Sequence, residues 1–212
     1  MMKIGIIGAS GKAGQMITAE AVAKGHTVTA IVRDAKKVTN KDVAVLERDL
    51  FDLTFEDIAD FDILVDAFNA PHGHEELHKT SLAHLVTLLK SHKAPRLMVV
   101  GGAGSLYVDP EMKVRVMDTP DFPDAFKPTA SNMGEAFDQL KATNDVTWTY
   151  ISPSAMFLPD GAKTGEYVIG KDHLLVNAAG SSEISYADFA TALVDEAEVG
   201  KHINERFTVG SK

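Results

Sequence analysis

Lys3-Ile4-Gly5-Ile6-Ile7-Gly8-Ala9-Ser10-Gly11-Lys12-Ala13-Gly14 is the stretch whose reading decides the fold. Its first five residues are a short apolar run of the kind that makes a strand buried on both faces. The run stops at Gly8, and Gly8, Gly11 and Gly14 then fall at i, i+3 and i+6. Ala13, Met16, Ile17 and Ala21 follow at helical spacing, Gly25 stands where a helix C-terminal cap belongs, and His26 to Val32 reads as a second strand. Strand, glycine turn, helix, strand is the context that a dinucleotide-binding glycine motif requires. Each glycine has a task in it. Gly8 turns the chain sharply off the strand, Gly11 removes the Cβ that would hold backbone away from a pyrophosphate, and Gly14 lets the helix lie close on the sheet. Ser10, Gly11, Lys12 and Ala13 lie where the unpaired N–H groups and dipole of the helix N-terminus favour an anion.

The rest of the chain extends the same alternation. Short strands are expected at Val43–Leu46, Phe61–Val65, Leu97–Val100, Val146–Ile151 and Arg206–Val209, with helices at Phe55–Ala59, around Leu82, Leu85, Val86 and Leu89, at Ala130–Lys141, and from Ser185 onward. Strands alternating with helices predict an α/β fold: an open, doubly wound, mostly parallel sheet with helices on both faces and the cleft at the carboxyl ends of the strands. The 212 residues fit one domain, 1–212, with a small substrate-side portion around 153–185. Gly165–Asp172 followed by His173–Val176 reads as a hairpin turning at Gly170-Lys171-Asp172. Residues 106–129, with Pro110, Pro120, Pro123 and Pro128, read as an irregular cover over the substrate side.

Composition narrows the function. With 30 acidic and 21 basic residues the net charge is −9, which argues against nucleic acid or an anionic membrane as partner. There is no cysteine, hence no disulfide, thiolate metal site or cysteine nucleophile. Met1-Met2-Lys3 runs straight into a strand without a signal-peptide pattern, so the expected location is cytoplasmic. His74 and His78 are four apart, but the further ligands of a metal site are missing, and no metal is expected.

Arg33 closes the second strand about twenty residues beyond the glycine turn, where an acidic side chain would hold the ribose of NAD(H) and an arginine the 2′-phosphate of NADP(H). A guanidinium clamps phosphate bidentately, so NADP(H) is favoured over NAD(H).

The words Gly8-Ala-Ser-Gly-Lys-Ala-Gly14 and Val32-Arg33-Asp34 resemble the NAD(P)H-binding, NmrA-like branch of the atypical short-chain dehydrogenase/reductases, a Rossmann-fold family. The C-terminal part, from Ser152-Pro153-Ser154 on, is similar to small bacterial proteins provisionally described as NADH-flavin reductases. The resemblance implies that Asp49 and Leu50 flank the adenine. It also implies that Ala67, Phe68 and Asn69, and then Gly101 and Gly102, pass close under the cofactor, and that Pro153 and Ser154 border the nicotinamide. Ser105 is by the same resemblance the candidate catalytic or substrate-orienting hydroxyl.

One departure matters. Short-chain dehydrogenases that reduce ketones carry Tyr-x-x-x-Lys on the helix corresponding to Ala130–Lys141, and here that spacing gives Phe137 and Lys141. Tyr167 and Lys171 satisfy the pattern only in the expected hairpin. Hydride transfer to a flavin, quinone or similar flat acceptor needs positioning more than a dedicated acid, so a reductase of that kind is the expected activity. The alternative is a dinucleotide-binding redox sensor without turnover. The expected partner is a small-molecule acceptor, and the chain is expected to act as a monomer or homodimer.

Overall fold

The computed structural model describes Met1–Lys212. In chain order the elements are β1 (Lys3–Ile7), α1 (Lys12–Ala23), β2 (Thr27–Val32), β3 (Ala44–Glu47), α2 (Phe55–Ile58), β4 (Ile63–Asp66), α3 (Leu77–Leu89), β5 (Arg96–Val100), α4 (Lys127–Lys141), β6 (Trp148–Pro153), β7 (Met156–Leu158), β8 (Val168–Gly170), β9 (Glu183–Ser185), α5 (Tyr186–Val199) and β10 (Glu205–Gly210). Eight strands form one sheet in the order β3-β2-β1-β4-β5-β6-β10-β8, all parallel but for the last pair. The order reverses at β1, so β1 and β4 lie side by side at the switch point where a doubly wound sheet opens a crevice. This is the Rossmann fold that the alternation predicted.

Side-chain alternation along the strands divides the interior into two cores. Ile4 and Ile6 of β1, with Val65 and Met98, face α1 and α5 and meet Ile17, Phe189 and Leu193. Ile7, Leu64, Leu97 and Val99 face the other way and meet Leu82, Leu85 and Leu89 of α3 and Phe137 and Leu140 of α4. The expected stripe of α3 is therefore core. At about 25 cal/mol per Å² of apolar surface removed from water, this burial on both faces supplies the main driving force for the sheet.

Helix ends follow the sequence signals. α1 closes in a Schellman motif: Gly25 at φ +81° donates its N–H to Val22, and His26 donates to Ala21. Thr54 and Asp57 form a capping box at α2. Ser185 accepts from the Asp188 N–H at the start of α5.

Two expectations are corrected, and one strand pairing is new. α4 begins at Lys127 rather than Ala130, because Pro128 sits in its first turn, where a missing N–H costs nothing. The segment Gly165–Val176 is not a hairpin: β8 pairs antiparallel with β10, Val209 opposite Ile169, and His173 bridges to Tyr107 instead. A two-stranded parallel sheet, β7 with β9, was not expected, since each strand is only three residues long. The segment 106–126 contains two short 3₁₀ turns, Val116–Asp118 and Asp124–Phe126, and is tied to α4 by the bidentate pair Arg115–Asp138 at 2.9 Å. No helix is long and apolar enough to cross a membrane.

Candidate functional site: a glycine-floored cleft at the switch point

The floor of the cleft is built by the glycine turn. Gly8 has φ +73°, and its N–H donates to Ile31 at 3.1 Å, which ties the turn to β2. A Cβ on Gly8 would stand 2.6 Å from the Ala67 carbonyl oxygen, so only glycine lets β1 pass this close to the end of β4. Gly14 has a more local duty than expected. Its Cβ would lie 2.2 Å from the Gly8 oxygen, so it seats α1 on the turn itself rather than on the sheet at large.

Gly11 is the N-cap of α1, and a Cβ there would meet nothing nearer than Gly8 O at 3.2 Å. The other side of that backbone is open. The first i→i−4 bond after it is Gln15 to Gly11, so the amides of Lys12 and Ala13 lie in the unpaired first turn. That first turn carries no acidic residue. Lys12 is exposed at its entrance.

From this floor a cleft of about 230 Å³ runs over the ends of β1, β2 and β4. Gly8, Ser10, Gly11, Arg33, Asp49, Leu50, Ala67, Phe68 and Asn69 all line it. These nine expected residues come from four separate parts of the chain. Asp49 accepts from the Phe51 N–H and so starts a 3₁₀ turn that swings Leu50, 5% exposed, against the core. Arg33 is exposed and makes no ion pair, whereas Asp34 caps the turn at Ala35–Lys37 through the Lys36 N–H. Arg48 was not singled out from the sequence, yet it lines the same end of the cleft beside Arg33. It pairs with Asp57 at 3.4 Å, and Glu47 next to it is engaged by the Ala35 N–H. Its only signal in the sequence was adjacency to Asp49.

The remaining expected residues lie outside this cleft. Gly101 and Gly102 follow β5, with the Tyr150 ring against Gly101 and Met133 Sδ beside Gly102. Ser154 is 1% exposed and donates to Val209 O at 3.0 Å, and Pro153 is the buried last residue of β6. Ser105, expected to point into the active site, is 3% exposed, and its hydroxyl accepts from Arg206 at 2.9 Å. The hydroxyl is buried and engaged by Arg206, and it does not line the cleft.

On α4, Met133 lies beside Gly102 after β5 and Phe137, one turn further on, packs against the Tyr150 ring, so neither position offers a hydroxyl. Below it, Asp66, His78 and Tyr150 line a small buried cavity. Burial pushes the Asp66 carboxyl up to about 6, although the Phe68 N–H on its Oδ1 works the other way. Burial likewise pushes the Tyr150 hydroxyl up to about 12 and lowers His78, whose Nε2 has no partner. His74 precedes α3 and faces Glu76 at 3.6 Å, so it makes no helical pair with His78. No three His, Asp or Glu side chains converge to hold a metal ion.

A Rossmann sheet with an anion-ready helix N-terminus at its switch point defines a dinucleotide-binding protein. The comparisons agree. A family profile described as NAD(P)H-binding matches residues 8–198. The uncharacterized protein YwnB of Bacillus subtilis (strain 168) is 56% identical over 211 residues, covering 100% of this chain and 99% of that protein. Among solved structures, SP1627 of Streptococcus pneumoniae TIGR4, provisionally assigned as an NADH-flavin reductase, is 43% identical with a TM-score of 0.96 and 100% of each chain covered. A Bacteroides thetaiotaomicron protein provisionally assigned as an epimerase is 34% identical with a TM-score of 0.86, covering 99% of this chain and 97% of that one. The chain belongs to the NAD(P)H-binding, NmrA-like family of atypical short-chain dehydrogenase/reductases, and its class is that of NAD(P)H-binding oxidoreductases.

Proposed function

We propose that this protein is an NADPH-dependent reductase that passes hydride to a flavin, quinone or similar flat acceptor. The observation that carries the reading is a cleft that gathers nine expected residues at the adenosine and pyrophosphate end, together with an α4 that holds no tyrosine and has Phe137 where a ketone reductase carries its acid. Bound reduced nicotinamide would supply a hydride from its C4. The chain supplies the rest. The amides around Gly11 to Ala13 would hold the pyrophosphate, and Asp49 and Leu50 would border the adenine. Ala67 to Asn69 would lie under the ribose, and Gly101, Gly102, Pro153 and Ser154 would frame the nicotinamide end. Without a tyrosine acid, the proton that completes the reduced acceptor comes from solvent. Ring systems that delocalise the added electrons tolerate that arrangement, and simple ketones do not.

Arg33 supports the preference for NADP(H). It is unpaired at the adenosine end, with Arg48 beside it, so a 2′-phosphate would meet two guanidinium groups, while the neighbouring Glu47 and Asp49 carboxylates are engaged by backbone N–H groups and Asp52 remains close by. The 43% identical SP1627, with its provisional NADH-flavin reductase assignment, favours a flavin as acceptor. An epimerase would want the missing tyrosine hydroxyl, which weighs against carrying over the Bacteroides assignment. The test is oxidation of NADPH and NADH, followed at 340 nm, with FMN, riboflavin and a benzoquinone. Turnover with at least one, faster with NADPH, is expected. Tight nucleotide binding with no turnover on any of them would replace this reading with a redox sensor.

A further inference from the structure

Arg206 lies on β10, opposite Tyr150 of β6, and its side chain is only 2% exposed. Burying a guanidinium is costly unless its donors are used. Here they are. Nη1 donates to the Ser105 carbonyl at 3.1 Å and to Ser105 Oγ at 2.9 Å. Nε donates to Asp172 Oδ1 at 2.9 Å, and Nη2 stands 2.7 Å from the same oxygen. The flat face of the group lies 4.5 Å from the centre of the Phe137 ring. One side chain thus joins the last strand, α4, the segment after β8 and the loop after β5.

That loop is held at both ends. At its start, the Gly101 N–H donates to Ile151 O at 2.8 Å, and a Cβ on Gly101 would be 2.1 Å from the Tyr150 ring. At its finish, Arg206 holds both oxygens of Ser105, and the Asp172 carbonyl accepts from the Tyr107 N–H at 2.8 Å. Gly104 is wedged so closely that a Cβ would come within 2.6 Å of the Ala130 Cβ.

We propose that Arg206 is a positioning residue for hydride transfer, and that it clamps Gly101–Ser105 in the shape that receives the nicotinamide end of the cofactor. Ser105 is then the anchor through which the clamp acts, not a hydroxyl that touches the acceptor. The proposal rests on the reductase reading above, and Asp172 is the counter-ion that fixes the guanidinium plane. The planar guanidinium presents Nη1 to Ser105 and Nε with Nη2 to Asp172, two edges that a single ammonium nitrogen does not span, so the position favours arginine over lysine.

The test uses ¹H–¹⁵N spectra of the full chain titrated with NADPH, together with steady-state rates. In the wild type, NADPH moves the amides of Gly8 and Gly11 and also those of Gly101, Gly102 and Gly104. In Arg206→Gln the shifts at Gly8 and Gly11 persist, and those of the Gly101–Ser105 loop are lost. The kcat falls on the order of tenfold or more, because a misplaced reacting centre loses its near-attack geometry. KM for NADPH stays within about threefold, the mark of lost orientation rather than lost binding. Arg206→Lys recovers only part of the rate. Asp172→Asn, at a half-exposed carboxylate, gives the same pattern more weakly and serves if Arg206→Gln does not fold. Ser105→Ala lowers the rate alone and adds nothing in the Arg206→Gln background.

Wild-type loop shifts and kcat in folded Arg206→Gln or Asp172→Asn would overturn the clamp, as would full additivity with Ser105→Ala. Wild-type protein that responds at Gly8 and Gly11 but never at Gly101–Ser105 would overturn both the nicotinamide placement and the clamp. Loop shifts without turnover would remove the reductase reading and leave the clamp standing on the spectra.

Discussion

Gly14 sits so close above Gly8 that a Cβ on the helix residue would come within 2.2 Å of the turn carbonyl. Gly11, between them, is far less crowded: a Cβ there would meet only the Gly8 oxygen, at 3.2 Å, a tight contact that needs the turn to yield by a small amount, and its φ of −75° is ordinary. The two glycines therefore separate stability from binding. Gly14→Ala should cost about 1–3 kcal/mol of stability through overpacking. Gly11→Ala should cost less stability than Gly14→Ala yet bind nucleotide on the order of tenfold more weakly, equivalent to about 1.4 kcal/mol. Calorimetry and a nucleotide titration on the same two variants check the pair. Gly11→Ala with unchanged affinity would contradict the placement of the pyrophosphate.

Arg33 gives the second prediction. A charge-assisted hydrogen bond contributes about 1.5–3 kcal/mol, so Arg33→Ala should weaken NADPH by roughly tenfold to a hundredfold. NADH, which lacks the 2′-phosphate, should change little. Arg48→Ala should follow the same direction less strongly, since that guanidinium is shared with Asp57. Equal losses for both cofactors would remove the assignment.

Asp66 couples stability to pH. Its folded pKa of about 6 lies above the ordinary 3.8 because the carboxyl is buried beside His78 and Tyr150. The folded protein therefore holds this proton more tightly than the unfolded chain does. The resulting stabilisation is full below about 4 and is lost as pH rises through about 6. The loss amounts to about 3 kcal/mol at most. Asp66→Asn, which keeps an acceptor for the Phe68 N–H, should be the more stable form at pH 7, and the gap should close towards pH 4. Denaturant melts at several pH values measure this; a gap that widens on acidification would refute it.

The glycine turn, the α3 stripe and the alternation of strands and helices were legible because they depend on residues close in sequence or on plain periodicity. Nine of the expected site residues meet in one cleft for the same reason: each stands at a strand end or in the turn just after it, and strand ends at a switch point converge. What was not legible depends on distant partners. The partner of β8 is β10, about forty residues on, so the local glycines around Gly170 suggested a hairpin instead. Ser105 looked free because the arginine that holds it is 101 residues away. Arg48 was passed over because nothing local separates a cleft-lining arginine from a solvated one.

The central claim is that the amides after β1 hold a dinucleotide pyrophosphate, and isothermal titration with NADPH, NADP, NADH and NAD tests it most directly. One site per chain is predicted, tighter for the phosphorylated pair and weakened by Gly11→Ala. No measurable heat or saturation with any of the four would contradict it.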